Sequence, residues 1–168
     1  MKKFFLLFVG LLLLASPAFA LQCKDGGSLN GDECWTDVYV SPIETSPTTV
    51  GTVVVYDFSA GTAEKAAYQV RVASASTDGY RVAGVVQKVI ATGDWGRVLV
   101  RGKGKLRTVN ILSSGDRLVV SPAANFGAAG PTSTGSGGLT ASRDGVIAYA
   151  LEASTATSAT IDAYITVV

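Results

Sequence analysis

The chain contains no histidine, and that absence removes a large share of enzymology. Ser-His-Asp and Cys-His catalysis need an imidazole to carry the proton, and many zinc centres use one as a ligand, so none of these can be built. Cysteine is almost as scarce. Cys23 and Cys34 are the only two, and their spacing fits no zinc or redox motif. In an oxidising compartment they would pair and close the loop CKDGGSLNGDEC, which stabilises a chain by about 3 kcal/mol on loop-entropy grounds. The acids Asp25, Asp32, Glu33 and Asp37 around that loop lack the alternation of a calcium-binding loop and read as solvated turn residues.

Charge is sparse as well: 16% of residues are charged, against 48% apolar. If Lys2 and Lys3 are removed with a leader, 12 basic groups remain against 13 acidic ones. Electrostatic capture of nucleic acid or of an anionic membrane is therefore not indicated. No phosphate cradle is present, because GDWGRVLVRGKGK has five residues between Gly96 and Gly102 and a glycine after Lys103. No facing pair of carboxylates stands out for glycoside chemistry, since Asp94, Asp116 and Asp144 each sit beside glycine in turn contexts. Glu152 is the one acid inside a central-looking strand, where a structural partner such as an arginine is expected before acid/base work. The chain is expected to bind no cofactor or metal and to be no enzyme.

What is present begins with a leader-like segment. Lys2 and Lys3 precede the apolar run Phe4–Ala15, and Ser16–Ala20 ends in an Ala-x-Ala site that predicts cleavage after Ala20. The run is shorter than the roughly 20 apolar residues of a spanning helix. Gln22 stands where a lipid-attachment signal before Cys23 wants a small residue. The expected organisation is a signal-like helix over residues 1–20, a disulfide loop and proline-containing arm over 21–50, and one β-domain over 51–168. After cleavage no membrane contact is expected.

The β-domain is organised around Gly84–Val120, GVVQKVIATGDWGRVLVRGKGKLRTVNILSSGDRLVV, answered by VIAYALEA at Val146–Ala153. Eight strands are expected, over Thr52–Tyr56, Ala67–Ala73, Arg81–Ile90, Arg97–Arg101, Leu106–Leu112, Arg117–Ser121, Val146–Glu152 and Thr160–Val168, with Gly-Asp and Gly-Lys turns between some of them. Such spacing predicts an all-β sandwich or barrel. Alternation is clearest at the end, where Ile161, Ala163, Ile165 and Val167 oppose Asp162, Tyr164 and Thr166. A helical period competes only over residues 60–67. Ser41–Pro47, with two prolines, reads as an arm or linker. Pro122–Gly145, rich in Gly, Ala, Ser and Thr, reads as a long loop that Phe126, its one aromatic residue, could anchor.

A basic cluster of Arg97, Arg101, Lys103, Lys105 and Arg107, with Trp95 beside it, has two readings. Arginine and tryptophan are typical of protein interface hot spots; charge along an exposed strand also keeps an edge soluble.

Taken in order, GTVVVYD, RVAGVV, VLVRGKGKL, SSGDRLVVS, a Gly/Ala loop, IAYALEAS and IDAYITV resemble the capsid decoration, or head cement, proteins of tailed bacteriophages over about residues 51–168. Gly115 and Asp116 before a short strand, and Ala150, Leu151 and Glu152 near the end, carry the match. The resemblance implies a non-enzymatic virion protein, a homotrimer on the outside of the head, whose partner is the lattice of major capsid protein. The leader-like segment and the cysteine pair fit that role poorly, because decoration takes place in the cytoplasm. Either residues 1–20 are kept as a docking arm, or the chain is an exported surface or secreted β-domain that binds a protein or glycan, its likeness to the family being inherited or accidental.

Overall fold

The computed structural model describes residues 22–24, 33–44, 48–58, 67–74, 81–121, 128–131 and 145–167. The leader-like segment, most of the cysteine loop, the candidate helical turn at 60–66 and Phe126 lie outside the described residues. The described residues form ten strands and no α-helix, so the expectation of an all-β chain holds. They are β1 (Gln22–Lys24), β2 (Glu33–Val40), β3 (Val53–Tyr56), β4 (Gln69–Val72), β5 (Val82–Val86), β6 (Trp95–Val109), β7 (Arg117–Val120), β8 (Ala129–Pro131), β9 (Val146–Ala150) and β10 (Ser158–Thr166).

All ten belong to one mixed sheet, ordered β1-β2-β4-β3-β5-β6-β10-β9-β7-β8, and β2–β6 and β6–β8 pair in addition. Those two extra pairings close the sheet on itself twice. One circuit runs β2-β4-β3-β5-β6 and the other β6-β10-β9-β7-β8, so β6 is shared. Each circuit contains one parallel pairing, β2 with β4 and β6 with β8; the remaining pairings are antiparallel. Closure leaves few strand edges open: among the described strands only β1 is paired on one side alone.

Two apolar clusters follow from this closure. The first circuit encloses Val38, Val40, Val54, Val70, Ala83, Val86, Ile90 and Val98. The second cluster contains Leu106, Leu112, Leu118, Ile147, Ile161 and Ile165, and it also takes Val53, Val55, Val85 and Leu99 from strands of the first circuit. Val54 and its neighbours Val53 and Val55 therefore enter different cores, which is why β3 and β5 read as continuous apolar runs without polar alternation.

Three places carry an extra residue in one strand. Cys34 and Trp35 pair with Arg101 and Leu99, leaving Val100 as a bulge in β6. Ala83 is extra in β5 and Ile147 in β9. A bulge shifts the phase of side-chain alternation. Leu99 and Leu106 are an odd number of residues apart and would face opposite ways in a regular strand, yet both enter the second cluster. The bulge at Val100 accounts for this.

Several expectations need correction. Gly102–Lys105 is not a turn: it continues β6 as a single 15-residue strand. Gly104 is required there for closeness, because a Cβ would come within 2.6 Å of Leu99 Cδ2 and 2.9 Å of the Gln87 side chain. Glu33–Val40, assigned to the cysteine loop and arm, is a strand built into the first circuit. Ser41–Glu44 is stitched to β4: the Ser41 amide donates to Val70 O at 2.9 Å, Gln69 Nε2 donates to Ser41 Oγ at 3.1 Å, and the Val72 amide donates to Glu44 Oε2 at 2.7 Å. Thr48 bridges Ile90, and its hydroxyl donates to the Ile90 carbonyl. The long loop is interrupted by β8, which pairs with β7 and touches β6. Gln69 is buried with Val70 and Val72.

Candidate functional site

Two outward surfaces collect the residues that sequence reasoning singled out, and the bulge in β6 decides which residue goes where. The predicted basic cluster is split by it. Arg97 and Trp95 precede the bulge and lie on one side; Arg101, Lys103, Lys105 and Arg107 follow it and alternate with the buried residues Gly102, Leu106 and Thr108.

On the first side, Trp95 is 55% exposed and is held by two tyrosines, with ring centroids 5.5 Å from Tyr39 and 5.8 Å from Tyr68. The β5–β6 connection folds beside it and makes an open groove of about 570 Å³, lined among others by Trp35, Lys88, Val89, Asp94, Trp95 and Arg97. Both tryptophans of the chain line it. Arg97 Nε donates to Asp37 Oδ1 at 3.1 Å across the β2–β6 pair, and both side chains are about half exposed, so the pair contributes little to stability.

The second side is the outward face of β6, β10, β9 and β7, and register builds it directly. Tyr164 of β10 lies opposite Lys103 of β6 and opposite Tyr149 of β9, and Tyr149 lies opposite Arg117 of β7. Directly opposed residues share a face. The result is a row, Lys103–Tyr164–Tyr149–Arg117, that crosses four strands with an aromatic pair between two cations. Parallel to it run Arg101 opposite Thr166, Lys105 opposite Asp162, and Arg107 opposite Thr160. Lys105 Nζ reaches Asp162 Oδ1 at 2.9 Å. That hydrogen-bonded ion pair lifts the Lys105 ammonium above its ordinary range, helped by the charges of Asp162 and Glu152. It holds the Asp162 carboxyl below the usual carboxylate range, with Lys105 and Lys103 adding to the effect. Glu33 also borders Lys103 and Lys105 at this end of the face.

The motif residues Gly115, Asp116, Ala150, Leu151 and Glu152 come together at one corner. The Gly115 amide donates to Ala150 O at 2.8 Å, and the Ala150 amide donates to Asp116 O at 2.9 Å. Asp116 Oδ2 accepts from the Ser113 amide at 2.7 Å and shapes the turn before β7. Glu152 is exposed and lies past the end of β9, not within a central strand; its Oε1 accepts the Asp162 amide at 2.7 Å. The partner expected of it was an arginine side chain; the backbone of β10 takes that place. This corner joins β7, β9 and β10 and serves the fold.

Cys23 and Cys34 are direct partners in the antiparallel β1–β2 register. Among the described residues, no three His, Cys, Asp or Glu residues are grouped to hold a metal ion. Among them, too, no helix is long and apolar enough to cross a membrane.

Sequence reasoning missed Tyr149, Tyr164 and Arg117 as surface partners of the basic cluster. Their common face depends on pairing between strands up to about 60 positions apart, and no local pattern encodes that. The alternation of Asp162, Tyr164 and Thr166 was the available signal.

No protein-family model matches the chain, and no curated protein matches it. Among solved structures, the chain is similar to the head fiber gp8.5 N base of bacteriophage phi29, at 15% sequence identity and a TM-score of 0.52, over 80% of this chain and 94% of that one. At that identity the likeness is one of fold.

Proposed function

We propose that the chain is a non-enzymatic structural protein of a bacteriophage virion, bound to the outside of the assembled head and stabilising it. The observation that carries this reading is the fold likeness to a head fiber base, which takes in nearly all of that domain. The order of sequence motifs resembling head cement proteins points the same way. The mechanism is mass action: a protein that binds the assembled lattice and not its free subunits stabilises the lattice in proportion to the occupied sites. Symmetry repeats each contact over the shell, so a modest affinity per copy suffices. A homotrimer on the major capsid protein lattice is the expected form, with a Cys23–Cys34 disulfide fastening β1 to β2.

A second reading is an exported surface or secreted β-domain. The apolar segment Phe4–Ala15 before an Ala-x-Ala site, together with the opposed cysteines, favours it. Co-sedimentation with purified heads separates the two. Saturable pelleting, together with raised resistance of the heads to heat or chelator, is expected for the virion role. Protein that stays in the supernatant, with a mass beginning at Leu21 and one disulfide, would favour export.

A further inference from the structure

Building on the head-bound reading, we infer that the face of β6, β10, β9 and β7 carrying Lys103, Tyr164, Tyr149 and Arg117 is the surface that meets the head, and that it meets a carboxylate-rich protein surface. Charge and shape support this together. The chain as a whole is nearly neutral, at +1, yet this face gathers Arg101, Lys103, Lys105, Arg107 and Arg117. Asp162 is the one carboxylate among their register partners, and Lys105 already satisfies it. Glu33 borders both Lys103 and Lys105, and Glu152 adds its charge near Lys105; three carboxylates against five cations still leave the face positive. Neighbouring strands are about 4.8 Å apart, so the row from Lys103 to Arg117 spans roughly 14 Å of regular sheet.

Such a surface is pre-formed, because closed strand pairing holds the side-chain bases in place and little ordering cost remains on binding. Tyrosine and arginine are the residues that interface centres favour, and Tyr149 is already 40% exposed beside half-buried Tyr164. A nucleic acid fits less well: Asp162 sits among the cations, where a continuous phosphate chain would pass it, whereas a protein surface can set a cation or a neutral donor opposite. The Trp95 side offers no comparable surplus, since Arg97 is paired with Asp37 and Lys88 is balanced by Asp94.

The test is pelleting of the full chain with purified heads over a range of salt. Wild type is expected to bind more weakly as salt rises. Lys103→Glu combined with Arg117→Glu should weaken binding by about tenfold or more at low salt, as charge reversal at a complementary interface does. The milder pair Lys103→Gln and Arg117→Gln should fall between, and Lys88→Glu on the groove side should bind as wild type does. Circular dichroism checks that each variant folds. Binding by wild type that both double variants retain would overturn the inference and leave the head-bound reading intact. If wild type itself fails to pellet, the reading falls and takes this inference with it. If the double variants lose binding to duplex DNA while still pelleting with heads, the face belongs to nucleic acid and the inference is wrong.

Discussion

The two closed circuits have five strands each and very different interiors. The first is filled almost entirely with valine: Val38, Val40, Val54, Val70, Val86 and Val98, with Ala83 and Ile90. The second adds four leucines and three isoleucines to five valines and five alanines. A five-stranded closure has a narrow bore, and short branched side chains fill it without overpacking. The second core is larger because it does two jobs. It fills its own circuit and also covers the outer side of β3, β5 and β6, so it joins the two halves. Damage to the first core should remain local, and damage to the second should loosen both.

Leu106→Ala tests that difference at its strongest point. Leu106 is fully buried in the second cluster, and truncation should cost about 2–5 kcal/mol in a urea melt. Val70→Ala, equally buried in the valine core, removes two methyl-sized groups and should cost about 1.5–3 kcal/mol. Equal losses, with the same set of amides deprotected in hydrogen exchange, would break the distinction.

Gly51→Ala sharpens it at the seam. Gly51 has φ +85°, its carbonyl accepts the Arg107 amide at 2.8 Å, and its own amide donates to Val86 O at 2.7 Å. An added Cβ would lie 2.6 Å from Arg107 N, a backbone atom that cannot swing aside. Strain and displacement together should cost about 2–4 kcal/mol. Gly115→Ala is the control: φ is similar at +89°, but nothing lies within 4 Å of the added carbon. Its loss should be only about 1 kcal/mol. A difference between the two variants measures the seam contact apart from backbone strain.

The smallest effect belongs to Asp162→Asn. The Asp162 carboxyl is held below its ordinary range, so its contribution is present above the unfolded-state value and fades as pH falls through the folded one. The Lys105 contribution is present below the unfolded lysine value and fades as pH rises through the raised one. Any stability gap between wild type and variant at neutral pH should therefore close on acidification through and below the carboxylate range. The gap itself should be slight, because the pair is largely exposed. A gap that persists in acid would point to the backbone contacts of β10 instead.

Much of the β-content was legible from residue patterns. Ile161, Ala163 and Ile165 are buried on one side of β10 as their alternation requires, and the turn at Gly115–Asp116 precedes β7 as expected. Glu33–Val40 was passed over because Cys34 and the nearby prolines drew it into a loop reading, although Val38 and Val40 keep a two-residue period. Gly102 and Gly104 looked like turn residues because glycine signals both bends and close approaches, and only the neighbours of Gly104 tell them apart. The basic cluster was visible, but its division was not. A single inserted residue, Val100, sends Arg97 to one side and Lys103 to the other, and no local pattern marks a bulge in an otherwise regular strand.

The double closure of the sheet bears on life at high density. A β-rich protein packed many-fold onto one shell is in danger of zipping into its neighbours, each unpaired margin offering a template for the next copy. Here nearly every described margin is already occupied by the chain's own strands. On the proposed head-bound reading, the described strands other than β1 offer a neighbouring copy no open edge, and adhesion through them runs by way of side chains, whose pairing can be tuned residue by residue.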